Sequence, residues 1–257
     1  MKRLALLLLL GAAQPVAAQP ASPDCASVPA VLPFEPPAHP LRFTVETERM
    51  LRDGGAATFK LAYRVQFHSI GRGYGMTATL VSVNAPVAMP AGQAMEAILS
   101  PLVGLPVSFL VDVERGVLTV RESDALWQML ASGMIPRAQS AQPDEARQLA
   151  RSLLALPVQE REALLAADLR HMLRFAGQQP EADFNPSRDR ATNCNLLQLE
   201  KQSFSTDDAM TISFHTRWLV DASTGLVSEQ SEEQWRRSFA DAWTVLDGTT
   251  TRRLAPE

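Results

Sequence analysis

The sequence predicts an α+β fold: a curved antiparallel sheet of roughly nine strands packed on one face against a three-helix insert. Three observations carry this. Apolar and polar residues alternate with period two in most segments, so each strand buries one side only. The period becomes helical over residues 123–177 and then reverts. No Gly-rich or charged linker divides the chain. A sheet with one dry face needs a cover, and the helical stretch is the part of the chain that can supply it.

Lys2 and Arg3 precede an apolar run from Leu4 to Leu10, and Val16-Ala17-Ala18 presents small residues before Gln19. This is the order of a secretory signal peptide, residues 1–18, cleaved after Ala18. The run falls short of the ~20 apolar residues of a membrane helix, and no later stretch reaches that length, so no integral membrane span is expected. The protein is read as periplasmic or secreted. Prolines at 20, 23, 29, 33, 36, 37 and 40 mark residues 19–40 as an extended or disordered arm. Residues 41–257 are read as a single domain with the helical insert at about 123–177.

Leu41, Phe43, Val45 and Thr47 alternate with Arg42, Thr44, Glu46 and Glu48 in a first half-buried strand, which Asp53-Gly54-Gly55 turns into a hairpin. In the second, Phe59, Leu61, Tyr63, Val65 and Phe67 share one face and Lys60, Ala62, Arg64, Gln66 and His68 the other. After Gly71-Arg72-Gly73, Tyr74, Met76, Ala78 and Leu80 continue the alternation. Residues 91–103 read as a short helix with Met95, Ile98, Leu99 and Leu102 inward, and 107–113 and 117–121 as strands.

Ser123 is placed as the cap of a helix carrying Leu126, Trp127, Met129 and Leu130 inward. Pro143-Asp144 opens a second helix with Leu149, Leu153 and Leu156 on one stripe. Pro157 precedes a third, with Leu165, Leu169, Met172 and Phe175 or Ala176 inward and Gly177 as its stop. Strand signals return at 197–204, at 210–220 and in two segments within 226–254.

Cleavage would remove Lys2 and Arg3 and no acid, moving the formal charge from −4 to −6. Lys and Arg are scattered, so neither nucleic acid nor an anionic membrane is a predicted partner, since both need a basic stripe. Cys25 and Cys194 lack a Cys-x-x-Cys spacing, and in an oxidising compartment they are expected to form one disulfide. Closing that loop of about 170 residues is worth up to ~5 kcal/mol. Ser22-Pro23-Asp24 before Cys25 lacks the small and aliphatic residues of a lipidation site.

Chemistry is sparse. His39, His68, His171 and His215 have no second ligand at the i+2 or i+4 spacing of metal sites, so no metal and no cofactor is read. Asp168 and His171, three apart on the third helix, are read as a surface pair. No Gly-x-Ser-x-Gly, Ser-x-x-Lys or His-Glu-x-x-His occurs, so no catalytic residue is assigned. Gly71 to Gly75 opens no helix and is a turn rather than a phosphate loop. Glu229, Glu232 and Glu233 are read together as a solvated outer face.

What remains is large apolar side chains, among them Phe59, Phe109, Trp127, Met172, Phe214 and Trp218. They fill an ordinary core, or they line a dry cleft that a curved sheet leaves beneath its helices. The stretch Trp218-Leu219-Val220-Asp221-Ala222-Ser223-Thr224-Gly225-Leu226 resembles a strand-turn-strand element of the LolA/LolB-like superfamily, in which an Asp-x-x-Thr-Gly-Leu turn joins two strands. The order of elements is similar as well. The resemblance implies a half-barrel wrapped around helices and a non-enzymatic periplasmic carrier or sensor of lipid or lipoprotein acyl chains. Three readings stand: a carrier of an apolar small molecule, an envelope scaffold that binds a protein through its sheet edge and amino-terminal arm, and an unrecognised hydrolase with a dispersed site.

Overall fold

The computed structural model describes residues 31–51, 54–86, 90–114, 117–140, 144–179, 187–188, 195–206, 210–238 and 244–257. The expected leader, Cys25 and Cys194 lie outside them. Ten strands are described: β1 (Leu41–Met50), β2 (Ala56–Ile70), β3 (Gly73–Asn84), β4 (Pro106–Asp112), β5 (Val117–Val120), β6 (Ser187–Arg188), β7 (Leu196–Thr206), β8 (Met210–Asp221), β9 (Val227–Ser238) and β10 (Thr244–Pro256). Five helices accompany them: α1 (Pro90–Leu99), α2 (Ser123–Ser140), α3 (Asp144–Leu154), α4 (Val158–Leu165) and α5 (Ala167–Arg170). The strands form one open sheet in the order β5-β4-β3-β2-β1-β10-β9-β8-β7-β6. All of its ladders are antiparallel. The nine strands read in the sequence are joined by one more, the two-residue β6.

Period-two patterning sets which side is dry. Phe43, Val45, Leu61, Val65, Phe67, Met76, Ala78, Leu80, Phe109 and Val111 are buried on the inner face, while Lys60, Arg64 and Gln66 are exposed on the other. Gly71, at φ 58, supplies the positive angle that lets a two-residue turn match the strand twist between β2 and β3. In β3, Tyr63 pairs Leu80 and Ala62 pairs Ser82, so Val81 is an extra, exposed residue. This bulge puts Leu80 and Val83 on one side despite their odd spacing. With further register shifts in β9–β8 and β10–β9, it bends the sheet.

One core joins this face to Ile98 of α1, Leu126, Trp127, Leu130 and Met134 of α2, Ala150 and Leu153 of α3, and Leu169, Met172 and Leu173. The roof therefore includes α1 as well as the predicted insert. It lies over the β1–β5 half, and the 3-10 turn His171–Leu173 after α5 reaches β9. A second core holds Leu32, Phe175, Leu197, Leu199, Trp218, Val220 and Val227, with Phe175 and Trp218 edge to face at 5.7 Å. Phe175 and Ala176, offered as alternatives by the periodicity, are both buried, one in each core.

Several local expectations change. The third helix is broken at Ala166, whose φ of −100° and ψ of −3° let α5 leave the direction of α4 and carry Leu169 under the sheet. Ser123 is the first helical residue, and its hydroxyl donates to Glu162 Oε1 at 2.9 Å, tying α2 to α4. Met129 points outward at 39% exposure, because Leu126, Leu130 and Met134 already occupy the buried stripe. The described end of the Pro-rich arm, residues 31–40, is built into the molecule. Leu32 is fully buried and its N–H donates to the Gln178 carbonyl at 3.0 Å, while Phe34 packs edge-on against Phe67 and Tyr74.

The turn that ends β8 is the seat for this arm. Asp221 Oδ1 accepts hydrogen bonds from Ser223 N at 2.8 Å and from Ser223 Oγ at 2.6 Å, and Gly225 N donates to the Asp221 carbonyl at 2.8 Å. Gly225 adopts φ 72, the region in which only glycine is unstrained. Glu35 N donates to the Thr224 carbonyl at 3.1 Å.

Candidate functional site

A cavity of about 230 Å³ lies between the inner face of the sheet and the helices. Phe59, Leu61, Tyr63, Ala78, Leu80, Val107 and Phe109 form its sheet wall. The roof is Met95, Ile98, Leu99 and Leu102 near α1, Trp127, Leu130 and Met134 of α2, Leu153 of α3, Leu164 and Leu165 of α4, and Ala167, Asp168 and Leu169 of α5. A single water needs about 10–15 Å³ of such space, so this is a chamber rather than a packing flaw. Its carbon-lined walls offer water few partners and suit an apolar guest. Outside, the Arg161 guanidinium stacks over Trp127 at 5.1 Å while its Nε donates to the Leu156 carbonyl at 2.7 Å, fastening α4 across the roof.

Among the described lining residues, Asp168 is the only carboxylate and Tyr63 the only hydroxyl. Both belong to a polar cluster at one end. Arg252 of β10 stands on the inner face opposite Val45 and Gln230, and its Nη2 donates to Asp168 Oδ1 at 3.3 Å. The pair is well covered, with side chains 13% and 28% exposed. Arg252 Nε and Nη1, Arg170 Nε and Gln230 Oε1 are buried with no protein partner among the described residues. Each such group costs about 1–3 kcal/mol, so a cluster of them in one place calls for an explanation beyond stability.

The cluster shifts the titration of its neighbours. Burial, and then the negative charge of Asp168, raises the Tyr63 hydroxyl above the ordinary phenol range. Burial pushes His171 down to about 4; the positive charges of Arg252 and Arg174 act in the same direction, and hydrogen bonding to Gln230 acts against them. His171 is therefore neutral at pH 7.

The sequence separated these residues wrongly. Asp168 and His171, expected at the surface, lie beneath the sheet because the break at Ala166 redirects α5. Glu232 is not on the outer face. Alternation places it inside with Gln230 and Gln234, opposite Thr216, whereas Glu229 and Glu233 are outside, bonded to Arg253 at 3.3 Å and to Trp235 Nε1 at 3.1 Å. His68 is exposed beside Gly75 on the outer face, and His215 lies on the same face between Gln202 and Glu233, several strands away. His39 is exposed at the end of the arm. No two of the four histidines meet among the described residues, and no group of three His, Cys, Asp or Glu there is arranged to hold a metal. Arg252 and Gln230 were missed, although one signal was available: Arg252 occupies an inward position of a strand whose neighbour two residues on is Leu254.

No helix among the described residues is long and apolar enough to cross a membrane. No family model matches the chain, and no curated protein sequence matches it. Three solved structures are similar to it. A Nitrosomonas europaea protein designated AttH is 9% identical, over 89% of this chain and 57% of that one, at a TM-score of 0.18. The chain thus spans 57% of the length of that structure. An outer membrane lipoprotein-sorting protein domain of Vibrio parahaemolyticus is 9% identical, over 87% of this chain and 85% of that one, at 0.19. A LolA superfamily protein of Nitrosomonas europaea is 7% identical, over 86% of each chain, at a TM-score of 0.18.

Proposed function

We propose that this protein is an exported, non-enzymatic carrier that holds an acyl chain of a lipid or lipoprotein in the cavity between sheet and helices. One observation carries the reading: a chamber of about 230 Å³ walled by aliphatic and aromatic side chains from three strands and five helical segments. Burying an apolar chain there removes its surface from water at about 25 cal/mol per Å², without requiring the walls to give up hydrogen bonds. The leader at residues 1–18 directs the chain to the periplasm, where such cargo needs an aqueous escort.

The test is native mass spectrometry of protein released gently from the periplasm, combined with thermal melting. Adducts of acyl-chain mass, and a melting temperature that rises with added lipid, are expected. A homogeneous unliganded species whose melting temperature ignores lipid would reject the carrier. The scaffold reading gains less support, because residues 31–35, part of the arm it would use, are already occupied in the molecule's own cores.

A further inference from the structure

The polar end of the cavity holds more donors than acceptors. Two of the three guanidinium nitrogens of Arg252 and the Nε of Arg170 have no acceptor among the described residues, and Arg174 adds a further positive charge near His171. Against these stand the carboxylate of Asp168, bonded to Arg252 through one nitrogen at 3.3 Å, the Gln230 Oε1 atom, and Glu232 two residues along the same face of β9, so the three arginines still outnumber the two acids. Asp168 is part of the cavity wall, so the guanidinium lies one hydrogen bond behind the space an alkyl chain would fill. Tyr63, in the same wall, keeps its proton and is one more donor.

Head-group chemistries differ sharply at such a place. A cationic group would add charge to a cluster already rich in arginine. A hydroxyl is a weak acceptor and would leave the arginines largely unmet. A carboxylate or phosphate brings several acceptor oxygens and the missing negative charge, in the charge-assisted form that makes guanidinium bonds strong. We infer that the cavity takes a single acyl chain bearing an anionic oxygen head group, which docks at the Asp168–Arg252 pair and accepts hydrogen bonds from the unoccupied nitrogens of Arg252. This rests on the carrier reading and specifies its ligand class.

The experiment is calorimetric titration of the mature chain with decanoate, decyl phosphate, decan-1-ol and decyltrimethylammonium, each as monomer, with inorganic phosphate as the chainless arm. Decanoate and decyl phosphate are expected to bind about tenfold or more tighter than decan-1-ol, and inorganic phosphate not to bind. Arg252→Gln should erase that advantage, and Arg252→Lys should restore part of it. Decan-1-ol or decyltrimethylammonium binding as tightly as decanoate to the unaltered protein would overturn the head-group assignment, a result that needs no variant to fold. So would an advantage that survives in Arg252→Gln, or inorganic phosphate that binds as well as decyl phosphate. If no decyl compound binds, the carrier reading falls as well, whereas equal binding by all of them removes only the head group.

Discussion

The carbonyl oxygen of Pro33 lies against the α-carbon of Gly225, so close that a β-carbon there would stand 1.8 Å from it. The arm and the turn after β8 are therefore fitted to each other, and Gly225 also holds φ 72. Gly225→Ala should destabilise the fold by about 3 kcal/mol, from left-handed strain together with the clash. Urea unfolding measures this, and a change below about 1 kcal/mol would mean that the arm is not seated as described.

Ala78 is buried in the sheet wall of the cavity, where a larger side chain has space to enter. Ala78→Leu is expected to keep stability within about 1 kcal/mol of the parent, unlike overpacking of a filled core. The same change should weaken acyl-chain binding about tenfold or more by occupying the chamber. Calorimetry with decan-1-ol reads the second effect and thermal melting the first.

His171 titrates near 4 in the folded protein against about 6.5 when unfolded. Between those values the unfolded chain binds a proton that the folded chain does not. The stabilising contribution is thus complete above about pH 6.5 and is lost as pH falls toward 4, up to about 3 kcal/mol. The charged groups around it are Arg252, Arg174 and, through Arg252, Asp168. In His171→Gln, stability should fall less between pH 7 and pH 4.5 than in the unaltered protein, as read from denaturant midpoints. Parallel curves would contradict a buried neutral imidazole.

The Cys25–Cys194 bridge expected from the sequence lies outside the described residues and is proposed as a pairing to test. Asn195, next to Cys194, receives a hydrogen bond from Ala222 N at 2.8 Å, and Pro33 and Glu35 of the arm contact Gly225 and Thr224 of the same turn. Thiol titration of the denatured, unreduced protein should find no free sulfhydryl, and reduction should lower stability by up to about 5 kcal/mol. Two titratable thiols in protein taken from the periplasm would refute the bridge.

How far the sequence carried the reading depended on the range of the interactions involved. The strands of β1–β4 were legible because Phe43, Leu61, Met76 and Phe109 sit in strict alternation, a local signal. The helical roof was legible from the stripes containing Leu126, Leu130, Leu153 and Leu169. The polar end of the cavity was not, since it joins Asp168 to Arg252, 84 residues apart, through a helix break that no proline or glycine marks. Nor was the buried part of the arm: Leu32 lies among prolines, and it becomes a core residue through the distant Phe175, Leu197, Leu199, Trp218, Val220 and Val227.

The middle of the sheet joins β1 to β10, with Leu41 beside Pro256 and Phe43 beside Leu254. Neither half can be stitched to the other until residue 256 has emerged from the ribosome, and such distant pairing is slow to nucleate. The cavity walls, all between Phe59 and Leu169, do not wait for that seam; what waits is the polar end, where Arg252 of β10 meets Asp168.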